Sequence, residues 1–166
     1  MNILEFQGIL ARRTKTHGAD LSDLGLVSGL TTGLVVDTGA VHSVLNESAA
    51  SKDDGMALLV ASLASLIGQT VLATHVLEQN RVPVARDETL AHLRRGEECG
   101  HLACAASEVL TRVTTIRVLV LNNNHPTAHA HLVALTGALL NIVQELLGTD
   151  PGEFLSIAAK TMKVKN

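Results

Sequence analysis

Arginines, acids and histidines are the residues of this chain whose types and spacing could do chemistry. Arg94 and Arg95 stand one turn before Glu97 and Glu98 on a predicted helix. Guanidinium forks at that spacing suit phosphate, through charge-assisted hydrogen bonds. Arg112 and Arg117 continue the basic series along the same helix or its extension. The plainer reading is a solvated face of Glu–Arg pairs, each worth little. Eight histidines are many for 166 residues, and His125, His129 and His131 cluster in HPTAHAH. Imidazole suits zinc, and an i,i+4 pair on a helix can chelate it. Pro126, however, puts His125 at or before the helix start, so solvated loop histidines are the competing reading. Asp37-Thr38-Gly39 spells the aspartic-protease triplet without the β-architecture or a second such Asp. Ser62, Ser65 and His42 offer hydroxyls and an imidazole but no oxyanion loop, and serine on an apolar helix usually bonds the carbonyl at i−4. Cys99 and Cys104 fall five apart in one predicted helix and face roughly opposite ways, so they read as core residues rather than a disulfide framework.

Composition narrows the classes. Hydrophobic residues make up 46% and charged residues 17%, and the mean hydropathy of +0.28 is that of a chain that folds. Phe6 and Phe154 are the only aromatic residues. Base-stacking platforms need several rings, which argues against RNA-recognition and OB-type binding. Thirteen basic against sixteen acidic residues give a net charge of −3, which is not the balance of a nucleic-acid binder. A core of Ala, Val, Leu and Ile favours helices meeting at close range. The start, MNILEFQGILARR, carries Glu5 before its basic pair and has no long apolar run, so no signal peptide is expected. A cytoplasmic location is the default for so few cysteines.

These residues must be positioned by helices. Ile3, Leu4, Phe6, Ile9 and Leu10 predict a helix over 2–15, ended by His17-Gly18. Asp20 or Ser22 can cap a second helix running to about Glu47. Its glycines (Gly25, Gly29, Gly33, Gly39) cost roughly 1 kcal/mol each against Ala, a cost that close approach to a neighbouring helix would offset. A strand over GLVVDTGAV is the alternative there. Residues 56–77 contain no Asp, Glu, Lys or Arg. They are long enough to span a bilayer. Six polar side chains interrupt them and acids stand at both ends, so we read a helix buried on all sides that also packs across a subunit interface. Asp87 caps a predicted helix from Glu88 to about Val113 or Val120. LNNNHPTAH is a loop, and 128–147 is a second apolar helix. Asp150, Pro151 and Glu153 start the last helix, which ends in Lys160, Lys163 and Lys165. The expectation is a single all-α domain over 1–166, a bundle of about six helices, oligomeric.

Two pairs of segments echo each other. LVASLASLIG (59–68) resembles LVALTGALLN (132–141), and 36–41 resembles 97–102. Pseudo-repeat halves over 1–80 and 86–166 are one reading, and chance likeness between Ala/Leu/Val-rich helices is the other. The segments LVSGLTTGLVVDTGAVHSVL, ALLVASLASLIGQTVLATHVL, EECGHLACAASEVLTR and LVALTGALLNIVQELLG together resemble the MazG-like branch of the all-α nucleoside triphosphate pyrophosphohydrolases, the superfamily that includes dimeric dUTPases. In that family one helix carries Glu-Glu-x-x-Glu and a partner helix carries Glu-x-x-Asp. Residues at i and i+3 share a face, so the two helices gather carboxylates around Mg²⁺, which grips a triphosphate and activates water.

The resemblance places those acid positions on Val36, Asp37, Ala40, Ser62 and Ser65 in the first half. In the second half it places them on Glu97, Glu98, His101, Leu135 and Ala138. Only Asp37, Glu97 and Glu98 keep a carboxylate. These three are vestigial catalytic acids on this reading, and Glu97, Glu98 and His101 are the metal candidates. The resemblance thus implies a catalytically silenced scaffold that binds, and so regulates or sequesters, a nucleotide or nucleotide-like ligand. Arg94 and Arg95 would contact phosphate, with Glu97, Glu98, His101 and Asn141 as polar walls and no cofactor required. It implies a homodimer or higher homo-oligomer, without nucleic acid or membrane as partner. The alternatives are an active Mg²⁺-dependent pyrophosphohydrolase releasing pyrophosphate, and a purely structural helical oligomer.

Overall fold

A long run without charged residues is costly to leave facing water, and this chain has one from Gly55 to Leu77 and another from His125 to Gln144. The computed structural model describes residues 1–46, 52–93 and 102–161. Six α-helices carry the fold: α1 (Ile3–Thr16), α2 (Gly25–Asn46), α3 (Lys52–Gln79), α4 (Leu102–Leu121), α5 (His125–Leu147) and α6 (Pro151–Thr161). Among the described residues there is no strand. The protein is an all-α bundle, and GLVVDTGAV lies inside α2 rather than in a strand.

The helices form three layers. α3 and α5 pack on each other in the middle. α2 and α4 pair on one side of them, and α1 and α6 pair on the other. The middle layer supplies most of the core. Leu63, Leu66, Ile67 and Leu77 of α3 are fully buried, as are Leu132, Leu135 and Leu139 of α5. Over Gly55–Gln79 and over His125–Leu147 these two helices are long and apolar enough to cross a membrane, with 56% of each most apolar window buried inside the bundle. The expectation that the uncharged helix is buried on all sides is met only in part: Met56 is 48% exposed and Leu58 49%, and Ser65, Gln69, Leu72 and His75 are half-buried. At 28 residues α3 outruns the 22 of α2 and the 23 of α5. At 1.5 Å per residue the difference is roughly 8 Å.

Local signals set the ends of the helices. Asn2 Oδ1 accepts from the Glu5 amide at 2.9 Å, and Glu5 Oε2 accepts from the Asn2 amide at 2.9 Å. This reciprocal pair fixes the start of α1. Asp150 Oδ1 accepts from the Glu153 amide at 3.0 Å, with Pro151 opening α6. Gly148 closes α5 at φ +61°, a left-handed cap that glycine adopts without strain.

Two boundaries differ from the sequence expectation. Residues 87–93 are not an α-helix; they hold a single 3-10 turn at Leu90–His92, and the helical residues described after it begin at Leu102. Asp87 reads as a cap, but it lies inside a turn that bonds the Glu88 amide to the Ala85 carbonyl, and Thr89 provides no side-chain cap. The predicted loop LNNNHPTAH is also shorter than expected. Asn123 turns the chain at φ +56°, and α5 already starts at His125 with Pro126 in its first turn.

Polar contacts join the layers. His129 of α5 is fully buried, and its Nε2–H meets Glu78 Oε1 of α3 at 3.1 Å. Glu78 Oε2 accepts from Gln7 of α1 at 3.5 Å. Arg13 donates to the Ala159 carbonyl, tying α1 to α6.

Candidate functional site

The carboxylate of Asp37 is the acid around which the described polar residues gather. It lies on α2, one turn beyond Gly33, and faces α3. Ser65 Oγ donates to Asp37 Oδ2 at 2.6 Å, and Gln69 Nε2 donates to the same oxygen at 2.7 Å. Gln69 Nε2 also lies 2.9 Å from Ser65 Oγ. Ser65 and Gln69 are four apart, so one face of α3 presents both donors to one acid. Hydrogen bonds to a charged acceptor are short and contribute about 1.5–3 kcal/mol each.

Gly33 makes room for this cluster. A Cβ built on Gly33 would overlap Gln69 Oε1 and lie 2.9 Å from its Cδ. Gln69 Oε1 is itself buried without a hydrogen-bond partner, so the amide is held through its NH₂ end alone. Gln69 also lines a cavity of about 260 Å³ with Arg13 and His17 on its rim and Leu10, Leu30 and Leu72 on its walls.

A second polar region lies along α4 and α5. Ser107, Glu108, Thr111, Arg112, Thr115 and His131 line a groove of about 570 Å³, with Cys104 at one end. Arg112 Nε donates to Glu108 Oε1 at 3.1 Å across one helical turn. Burial holds the His131 pKa below its ordinary value, and the neighbouring Arg112 charge lowers it further. Burial likewise lowers the pKa of His75 on α3; Glu78 works against that shift and Lys15 adds to it.

The residues singled out from sequence fare unequally. Asp37 and Ser65 are brought together. Ser62, Leu135 and Ala138 are buried, Ala40 is half-buried, and Val36 is 67% exposed. Asn141 is half-buried on α5. Arg94, Arg95, Glu97, Glu98 and His101 lie outside the described residues. His42 Nε2 is bonded to the Ala106 carbonyl at 3.1 Å, away from the serines. Arg117 is used structurally: its Nη1 donates to the Ser28 carbonyl, to Ser28 Oγ and to Thr31 Oγ1 on α2.

The histidines of HPTAHAH separate, with His129 on Glu78 and His131 in the groove. Among the described residues no three His, Cys, Asp or Glu side chains form a group that could hold a metal ion. Cys104 corrects the sequence reading: it is exposed and disulfide-bonded, not a core thiol. Cys99, the other cysteine of the chain, lies outside the described residues. The opposite-faces inference assumed one helix running from Glu88, and residues 87–93 do not form it. Sequence reasoning missed Gln69 and Glu108, the partner of Arg112 in the groove. The i,i+4 spacing of Ser65 and Gln69 was the available signal for the first.

Comparison with protein-family models, with curated proteins and with solved structures finds no match to this chain.

Two outcomes follow from this geometry. Ala at position 33 gains about 1 kcal/mol of helix propensity but displaces the Gln69 amide. Gly33→Ala therefore destabilises the native protein in urea unfolding and stabilises the Gln69→Ala variant, and equal effects in both backgrounds would contradict the contact. The second outcome concerns pH. The folded pKa of His75 and of His131 lies below the unfolded value of about 6.5, so their neutral forms are favoured by folding. That contribution is complete above about 6.5 and is lost as pH falls toward the folded pKa values. A His75→Gln/His131→Gln variant should lose less thermal stability than the native chain across that window. An unchanged slope would contradict the assignment.

Proposed function

We propose that this chain is a MazG-like, catalytically silenced helical protein that binds a nucleotide or another small phosphorylated ligand without cleaving it. The observation that carries the reading is the engagement of Asp37. A carboxylate serving metal-assisted phosphoryl chemistry works with further acids turned to the same point, and among the described residues Asp37 stands in no group of three or more possible metal ligands. Here Ser65 and Gln69 both converge on Oδ2, so the acid acts as a clamp between α2 and α3. Ser65 and Ser62 stand where the pyrophosphohydrolase pattern would put further acids, and neither can replace a carboxylate.

The groove on α4 and α5 supports a binding role. Arg112 and His131 supply donors for phosphate oxygens, and Ser107, Thr111 and Thr115 add hydroxyls. Its volume of about 570 Å³ falls in the range of small-ligand sites. Arg94 and Arg95 add phosphate contacts on this reading. Glu97, Glu98, His101 and Asn141 add polar wall. No resident metal or cofactor is needed for holding such a ligand.

The test is a thermal-shift screen of nucleoside mono-, di- and triphosphates and cyclic nucleotides, with and without Mg²⁺, with pyrophosphate read in the same wells. A ligand at about a hundred times its Kd stabilises by about 2.7 kcal/mol, a rise of roughly 5–10 °C for a domain of this size. We expect such a rise for at least one nucleotide, no pyrophosphate, and loss of the rise in Arg112→Ala. Pyrophosphate release would establish the hydrolase alternative instead. The absence of any shift would remove the binding reading.

A further inference from the structure

Between α1, α2 and α3 the helices leave a cavity of about 260 Å³. Leu10 of α1, Leu30 of α2 and Leu72 of α3 form its walls. Gly68, four residues before Leu72 on the same face of α3, brings no side chain to it, and Ala19 brings only a methyl group. An apolar cavity of about 150 Å³ holds a benzene ring. On that scale this one has room for a substituted ring or two fused rings. The groove on α4 and α5 shares no lining residue with it, so its use is independent of the nucleotide reading.

The polar atoms of its lining are mostly acceptors. Thr14 Oγ1 donates its proton to the Leu10 carbonyl at 2.9 Å, which leaves lone pairs only. His17 Nδ1 lies 2.7 Å from the Arg13 carbonyl. A carbonyl cannot donate, so the ring proton is on Nδ1, and Nε2 of the neutral ring accepts. Gln69 uses its NH₂ group on Asp37 and Ser65, and its Oε1 is buried without a hydrogen-bond partner. A buried acceptor left unpaired costs stability, and in a native fold it calls for an explanation. Arg13 supplies donors, and its guanidinium already reaches the Ala159 carbonyl.

We infer that this cavity binds a compact, uncharged molecule with an apolar ring and one O–H or N–H donor, of the phenol or indole type, whose proton Gln69 Oε1 accepts. Charge argues for neutrality in both directions. The Asp37 carboxylate stands behind the Gln69 amide, 2.7 Å from Nε2, and opposes an anion at the inner end. The Arg13 charge at the rim opposes a cation. An apolar body suits the leucine walls. A rigid ring also loses less conformational freedom there than an alkyl chain of equal size. Water can donate to the same oxygen but cannot cover the leucines.

Isothermal titration calorimetry of the full chain with phenol, indole and toluene tests it, since toluene has the shape of phenol without the donor. Phenol and indole should bind the native protein. Toluene should bind about tenfold more weakly, the fold-change of one net hydrogen bond. Methyl NMR should place the phenol-induced shifts on Leu10, Leu30 and Leu72. Thr14→Leu puts a larger apolar side chain into the cavity from a half-buried position. It should abolish phenol binding while circular dichroism keeps its helical content. Gln69→Met keeps the side-chain length without the acceptor and should bring phenol down to the affinity of toluene. The native comparison of phenol with toluene needs no variant. Failure of phenol and indole to bind, equal affinity for phenol and toluene, shifts elsewhere on the bundle, or undiminished binding in Thr14→Leu would each overturn the inference.

Discussion

One oxygen of one carboxylate organises the contact on which this bundle is built. Asp37 Oδ2 takes two short hydrogen bonds from α3, and it can do so only because Gly33 lets the Gln69 side chain lie against the backbone of α2. A charged group between two packed helices destabilises them unless it is paired. Once paired, it fixes register, because a slip of one residue along α3 would turn Ser65 and Gln69 away from it. The glycine, the acid and the two donors therefore act together, and the propensity lost at Gly33 is offset by the fit it allows.

The layers follow from that contact and from hydrophobicity. α3 and α5 are too apolar to face water and take the middle. α2 is held to α3 by the Asp37 cluster and to α4 by Arg117. With its one carboxylate turned inward, α2 has no charged side chain left to show solvent. α1 and α6 close the opposite side, with ordinary amphipathic character and charges at their exposed positions.

Much of the fold was legible in the sequence because helix signals are local. Asp150, Pro151 and Glu153 announce α6, and the apolar periodicity of Ile3, Phe6 and Leu10 announces α1. The error at Glu88 arose from the same kind of signal: Asp87 has the chemistry of a cap, but the chain around it turns. The site was less legible because it is a tertiary contact. Asp37 and Ser65 could be singled out as members of facing helices. Gln69 in a run of apolar residues looked like a polar interruption, and only the approach of Gly33 gives it a role.

The most direct test of the clamp is the stability of Asp37→Ala in metal-free, chelator-containing buffer, measured by urea unfolding. An acid kept for ligand or metal chemistry burdens the fold, and its removal commonly stabilises. An acid that joins two helices leaves donors without an acceptor when it is lost. The account predicts that Asp37→Ala destabilises by about 2–4 kcal/mol, as loss of a charged hydrogen-bonded group does. An unchanged or increased stability would contradict it.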